Sequence, residues 1–419
     1  MARTEAGQVL MSGFILPGER VQLRELRQKS GYIEAELAEL FTPSPERIAP
    51  RCPFYGECGG CDLQHGSYAE QLRVKQAIVA ETMQRAHLSL ADGNIAKVLP
   101  SPQQWAYRHR LRLKISPDGR LGFFKKRSND FVAINSCLTA ADEINTALAE
   151  LAAADVLSKF FAIYPELELH CSPVDRRITL VLLLKGKQRL PAAVIHELAA
   201  CASIDQIGCA NKKGFQHFYS RSGPAEPLMQ QIALAGSNCT LSWSGSCFSQ
   251  VNPAQNEQLI QLVLQFAGNL QRKNVVDLYC GMGNFSLPLA LAGAKLFGIE
   301  GNSESLRWAK RNTEAAGVTA RFQVADVHAA LQQMLKEQRR ADIILLDPPR
   351  AGIGKTAALL PELRPEKIIY ISCDPVTLAR DLAMLCGKGF QLTALQPLDM
   401  FPQTSHIETV AVLENTRCK

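Results

Sequence analysis

Cys373 closes a short run of branched apolar residues, Ile368-Ile369-Tyr370-Ile371-Ser372, and Pro375 follows it two residues later. Proline has no backbone N–H and cannot continue a strand's ladder, so the strand ends at the cysteine. Val376 to Cys386 then places Leu378, Leu382 and Leu385 at helical spacing. A thiol between a strand end and a helix start is where an α/β enzyme can hold a nucleophile, because the helix N-terminus favours the thiolate. A single cysteine read alone is more simply a small buried residue, since cysteine is among the most buried residue types. Four other strand ends in the same half of the chain argue for a site.

The first is Val275-Val276-Asp277-Leu278-Tyr279-Cys280-Gly281-Met282-Gly283-Asn284-Phe285, a strand running through a glycine turn into a helix. Gly281 and Gly283 let the backbone approach a nucleotide-like ligand, and the helix start offers N–H donors. Seventeen residues after Gly283, the strand Lys295 to Ile299 ends in Glu300. An acid at about that distance is the expected partner of a ribose hydroxyl. Phe322 to Ala325 ends in Asp326, and Ala341 to Leu346 ends in Asp347-Pro348-Pro349-Arg350. Helical stretches separate all five ends. In an open α/β sheet, ligands bind beyond the carboxyl ends of the strands, so one crevice can gather them. The third glycine of a dinucleotide fingerprint is missing. That turn suits S-adenosylmethionine, whose ribose still needs an acid and whose methionine end still needs backbone donors.

Two further clusters lie in the first half. Cys52-Pro53-Phe54-Tyr55-Gly56-Glu57-Cys58-Gly59-Gly60-Cys61 spaces three thiols by five and two residues. Glycines between them allow the chain to wrap a metal and aim N–H groups at sulfur. The spacing fits a [4Fe–4S] cluster, a zinc site or unliganded thiols, and a tetrahedral metal needs a fourth ligand. Trp105 to Arg127 holds Arg108, Arg110, Arg112, Lys114, Arg120, Lys125, Lys126 and Arg127 against one acid, Asp118. Arg108 to Lys114 alternates with Leu111 and Leu113 as a strand with one basic face would. Such a strand is often merely solvated. With Tyr107, Phe123 and Phe124 interleaved it can also engage phosphates and stack unpaired bases.

In combination these motifs resemble the RNA uracil-5-methyltransferases. The resemblance runs over residues 50–419 and rests on Asp277 to Phe285, Asp347-Pro348-Pro349-Arg350, Ser372-Cys373-Asp374-Pro375 with Thr377-Leu378-Ala379-Arg380-Asp381, and Asp399 to Glu408. It implies that Cys373 adds to C6 of uracil and Glu408 removes the C5 proton. On its own Glu408 would read as a solvated strand-edge carboxylate. The pair meets if Glu408 opens a last strand, Thr409 to Leu413. The resemblance also implies that Gln250, Tyr279, Asn284, Glu300, Asp326 and Asp347 surround cofactor and base, beside Gly281 and Gly283. It makes Cys137 the fourth ligand of Cys52, Cys58 and Cys61, and [4Fe–4S] the preferred cluster. Four protein thiolates leave no open coordination site, so a structural or RNA-orienting role follows. Arg108, Arg110 and Lys126 become the expected RNA contacts.

The expected fold is α/β, a class I (Rossmann-like) S-adenosylmethionine-dependent methyltransferase domain at residues 236–419. A central iron–sulfur and RNA-binding domain would span 49–235, with helical residues 67–99 packing on the catalytic domain. Residues 1–48, with Gly13 to Val21, are similar to part of an OB-like TRAM barrel. The expected substrate is 23S ribosomal RNA. The tRNA T-loop uridine is the nearest alternative, followed by an exocyclic-amino methyltransferase or a non-catalytic iron–sulfur RNA-binding protein. Amino methyltransferases usually follow Asp-Pro-Pro with an aromatic residue, and this chain has Arg350. The 419 residues carry 47% hydrophobic side chains, a net charge of +6 and thirteen cysteines. An odd number of cysteines in helix and strand patterns suits reduced thiols. No signal-like start or long apolar run is evident, so a cytoplasmic monomer without membrane association is expected.

Overall fold

The computed structural model describes residues 2–3, 7–90, 95–154, 156–161, 165–183, 191–211, 214–234 and 236–416. The chain forms two compact units. One comprises Met1–Val74, Phe123–Val132 and Gln403–Ser405; the other comprises Lys75–Gly122, Ala133–Pro402 and His406–Lys419.

The larger unit holds the expected open sheet. Its strands are β1 (Asn274–Leu278), β2 (Lys295–Glu300), β3 (Ala320–Val324), β4 (Ile343–Leu346), β5 (Lys367–Ser372), β6 (Phe390–Leu398) and β7 (Glu408–Asn415). Their spatial order is β3-β2-β1-β4-β5-β7-β6. β1 to β5 are parallel, whereas β7 runs antiparallel to both β5 and β6. Parallel strands covered on both faces must be apolar throughout, and all four residues of β4 are buried. The strand order reverses between β1 and β4, which is where such sheets open a ligand crevice.

Five helices flank the sheet: α1 (Pro253–Ala267), α2 (Ser286–Leu291), α3 (Ser303–Ala315), α4 (Val327–Lys336) and α5 (Pro375–Cys386). Their starts are written in the sequence. Asn252, Asn302, Asp326 and Asp374 each cap a helix by accepting a backbone N–H, and proline follows the first and last of them. Leu259, Ile260 and Val263 of α1 join Leu287 and Leu289 of α2 and Val275, Ile343, Ile369 and Ile371 of the sheet in one core. Each such fully buried side chain stabilises the fold by roughly 1.5–3 kcal/mol.

The same unit contains a mixed sheet in the order Gly214–Ser220, Gln206–Asn211, Ile178–Leu183, Glu166–Cys171, Arg110–Ile115. Leu111, Leu113 and Ile115 are buried while Arg112 is exposed, so the alternation expected of the basic strand is present. In the smaller unit, Ala2–Arg3, Val9–Met11, Tyr32–Thr42 and Arg20–Lys29 form a four-stranded sheet dominated by its long antiparallel hairpin. Within the helical segment expected at 67–99, a helix runs Tyr68–Arg85 and stops before His87, whose φ is +54°. Residues 91–94 of the expected 67–99 segment lie outside the described residues. Among the described residues no helix is long and apolar enough to cross a membrane.

Candidate active site

The loop after β1 turns sharply at three left-handed positions: Tyr279 at φ +63°, Gly281 at +54° and Gly283 at +91°. A Cβ on Gly283 would sit 3.4 Å from Ala309 of α3, so glycine also permits that close approach. Glu300, at the end of β2, fixes the turn. It accepts the Gly281 N–H at 3.1 Å and the Asn302 N–H at 2.7 Å. The Asn284 side chain exchanges two 2.9 Å hydrogen bonds with Asn256 of α1. The helix expected to open this loop towards a ligand is short: α2 has six residues, and its Ser286 hydroxyl donates to buried Asp277 at 2.5 Å. Burial pushes Asp277 up to about 7 against that bond, with Asp347 and Glu300 adding to the rise. Its other oxygen has no hydrogen-bond partner among the described residues. Asp326 caps α4 by accepting the Ala329 N–H at 3.0 Å.

Beyond the switch point, β4 delivers Asp347 and Arg350, β5 delivers Cys373, and β7 begins at Glu408. β7 is antiparallel, so its first residue lies at the same sheet edge as the last residue of β5; Ser372 pairs with Thr409. Cys373 and Glu408 therefore occupy adjacent strand ends. Burial pushes the Cys373 thiol up to about 11; the Glu408 carboxyl adds to the rise, and Arg350 opposes it by charge and hydrogen bond. Glu408 is only 3% exposed, and burial raises it well above the usual carboxyl range, with Asp347 reinforcing and Arg350 opposing. Loss of solvation brings Asp347 up to about 7. The surroundings of Cys373 thus favour the thiol, where helix-favoured thiolate was expected. The physical reason is burial of the sulfur, reinforced by the Glu408 carboxyl on the adjacent strand end.

A cleft is lined by Gln250, Tyr279, Gly281, Asn284, Phe285 and Asp347, with Phe248 and Ser249 at its wall. Five residues anticipated around cofactor and base are thus brought together; Glu300, Asp326 and Gly283 stand on the neighbouring strand ends and turn. Two side chains were not anticipated. Arg350 was read only as the last residue of Asp-Pro-Pro-Arg and given no role at the site, yet it is the cation bearing on the thiol. Phe248 is 61% exposed and carries the Arg110 guanidinium 5.4 Å from its ring centroid. An aromatic two residues before Gln250 was the available signal.

The basic strand is less free than its composition suggests. Arg112 and Lys114 pair with Glu166, and Arg112 also approaches Glu168 at 4.0 Å, both acids on the neighbouring strand. Burial lowers Arg110, partly offset by Glu168. Lys126 gives its ammonium to Asp62 at 2.5 Å. Arg108 keeps a buried Nε with no hydrogen-bond partner among the described residues. In the smaller unit, Cys52, Cys58 and Cys61 are half-buried on one loop. Gly59 donates to Phe124 O at 3.0 Å, and a Cβ there would meet that oxygen at 2.7 Å. Gly60 points its N–H at the Cys58 sulfur, 3.4 Å away. Cys137 belongs to the larger unit, half-buried, with its sulfur 3.2 Å from the Thr139 hydroxyl. Among the described residues no three metal-ligating side chains stand close enough together to hold an ion.

The sequence profile of the tRNA (Uracil-5-)-methyltransferase family matches residues 67–416. The chain is 35% identical over 415 residues to the 23S rRNA (uracil(1939)-C(5))-methyltransferase RlmD of Dichelobacter nodosus (strain VCS1703A), covering 98% of this chain and 94% of the relative. It is 34% identical over 423 residues to the protein of the same name from Shewanella sp. (strain ANA-3), covering 97% and 91%. Among solved structures, Pyrococcus abyssi tRNA (uracil-54, C5)-methyltransferase in complex with S-adenosyl-L-homocysteine aligns with a TM-score of 0.71 over 97% of this chain and 96% of that one. Its sequence identity is 22%, so this likeness is one of fold.

Proposed function

The chain is a member of the tRNA (uracil-5-)-methyltransferase family, and from that premise we propose that it methylates C5 of a uridine in 23S ribosomal RNA. The observation that carries this reading is Cys373 beside Glu408 at adjacent strand ends, next to a cleft shaped by the β1 turn. C5 of uracil is a weak nucleophile. After giving its proton to water, the Cys373 sulfur bonds to C6, and the electron pair displaced from the C5–C6 double bond makes C5 enolate-like. Arg350 favours this step by stabilising the sulfur's negative charge. S-adenosylmethionine, when bound, supplies the methyl group as a sulfonium electrophile. Glu408 then takes the C5 proton; that electron pair restores the C5–C6 double bond and the C6–S bond breaks. A carboxylate with raised proton affinity is the stronger base once ionised.

The site's residues fit that cofactor. Gly281 and Gly283 keep side chains out of the turn, while Tyr279, Asn284, Gln250 and Asp347 line the cleft. Glu300 retains lone pairs for ribose hydroxyls beyond its two backbone bonds, and Asp326 sits at the next strand end. For RNA, Arg108, Arg110 and Lys126 are the proposed contacts. The target must leave its stack to reach a thiol in a cleft, which costs a few kcal/mol and favours a loop uridine.

Cys52, Cys58, Cys61 and Cys137 are the proposed ligands of a [4Fe–4S] cluster. Soft thiolates and the N–H of Gly60 aimed at a sulfur support it. Anaerobically purified protein should carry about four irons. One stoichiometric zinc in colourless protein would replace the assignment. A cytoplasmic monomer is the matching proposal for the whole protein.

The test of the function is methylation of unmodified 23S rRNA and tRNA by the purified protein, read by nucleoside mass spectrometry. 5-Methyluridine in 23S rRNA is the expected product. The same product in tRNA alone would move the substrate, and an N-methylated nucleoside would overturn the reaction.

A further inference from the structure

The segment Thr377-Leu378-Ala379-Arg380-Asp381 has no part in the chemistry above, yet three of its side chains lie on one face of α5, at i, i+3 and i+4. All three bind the backbone of the loop after Asp-Pro-Pro. The Thr377 hydroxyl donates to Arg350 O at 2.9 Å, and Arg380 Nη2 donates to Ala351 O at 2.8 Å. Asp381, with a fully buried side chain, accepts the Ile353 N–H at 2.8 Å and the Tyr370 hydroxyl at 2.7 Å. Arg380 pairs with its other oxygen at 2.8 Å. The loop is shaped to this carboxylate. Gly352 has φ +71°, and a Cβ there would lie 2.4 Å from Asp381 Oδ2.

We propose that Asp381, assisted by Thr377 and Arg380, is a positioning residue that holds the Arg350 loop against the helix beginning at the nucleophile, keeping the guanidinium at the Cys373 sulfur. This rests on the reading of Cys373 as nucleophile. Arg350 itself is exposed, and the bond that closes its own turn, from the Gly352 N–H to Pro349 O at 2.8 Å, holds the backbone and does not reach the guanidinium. α5 starts two residues after Cys373 and carries the clamp within its first two turns. Any shift of α5 therefore moves sulfur and loop together, and their separation is preserved while RNA enters. A bare stabilising contact would need no shared element.

The test needs neither RNA nor cofactor. Alkylation of Cys373 by iodoacetamide is followed against pH in the full-length protein, by mass spectrometry of its peptide. Glu408, Asp347 and Arg350 are the charged groups bearing on this thiol. Arg350→Ala should raise the apparent titration by about one unit, making alkylation about tenfold slower at pH 8. Asp381→Asn should slow it part of the way, and adding Asp381→Asn to Arg350→Ala should change nothing more, because both act through one guanidinium. Should Asp381→Asn not fold, Thr377→Val, which removes only the bond to Arg350 O, carries the same comparison. A wild-type alkylation profile in the folded Asp381 or Thr377 variant would overturn the proposal, as would additive effects in the double variant. Failure of the reaction itself is read separately, from covalent trapping of RNA.

Discussion

Cys373 and Glu408 sit among groups that raise one another's proton affinity, and Arg350 is the cation that opposes the rise. Cys373 and the acids at the strand ends could be picked out in sequence because each follows an apolar run, whereas Glu408, which opens a strand, drew its proposed role as base from the family resemblance alone. Arg350 could not, because its partner is a sulfur 23 residues further on. Lys75 was hidden in the same way. Its helix was expected to pack on the catalytic domain, but no partner was assigned to this lysine, and its ammonium is fully buried against Asp399 and also donates to Phe401 O at 3.0 Å. Lys75→Met leaves the Asp399 charge buried and uncompensated, so urea unfolding should show a loss of about 3–5 kcal/mol. Replacing both residues by Met and Leu should recover most of that loss. A single variant as stable as wild type would mean that the pair is not buried in solution.

β1, β4 and β5 were legible as elements because burial on both faces writes nearly unbroken apolar runs. β6 was not anticipated: its mixed sequence carries no chemistry at its end, and its partner is settled only by pairing with β7. The basic strand was legible as a pattern but not as a charge. Glu166 and Glu168 reach it from a strand more than fifty residues away. Asp326 separates two roles within one element. Asparagine caps as well as aspartate, so Asp326→Asn should leave the melting temperature nearly unchanged. Calorimetry should nonetheless show weaker binding of S-adenosylhomocysteine; unchanged affinity would reduce Asp326 to a cap. Alanine at Arg108, Arg110 and Lys126 together should flatten the salt dependence of RNA binding by about one log–log unit per lost phosphate contact. Since Lys126 and Arg110 are already engaged, Arg108→Ala should account for the largest single share. An unchanged slope would place the footprint elsewhere.

For the whole molecule, the buried carboxyls set a pH dependence. Asp277 and Asp347 are raised from an ordinary aspartate range to about 7, so the folded state retains protons that the unfolded chain gives up above about pH 4. Stability from these groups is full below that point and declines as pH rises towards 7, by up to about 1.4 kcal/mol per unit per group. Asp277→Asn should flatten the fall of the urea midpoint between pH 5 and 7; an unaltered profile would mean that Asp277 is ionised in the folded protein. The reaction offers the most direct test of the account. Glu408→Gln keeps the nucleophile and removes the base, so addition and methyl transfer proceed while the C5 proton stays and elimination stalls. Incubated with unmodified 23S rRNA and S-adenosylmethionine, this variant should accumulate a protein–RNA adduct that survives denaturing electrophoresis, and the adduct should vanish when Cys373→Ala is added. Multiple-turnover methylation by Cys373→Ala alone would contradict the covalent mechanism.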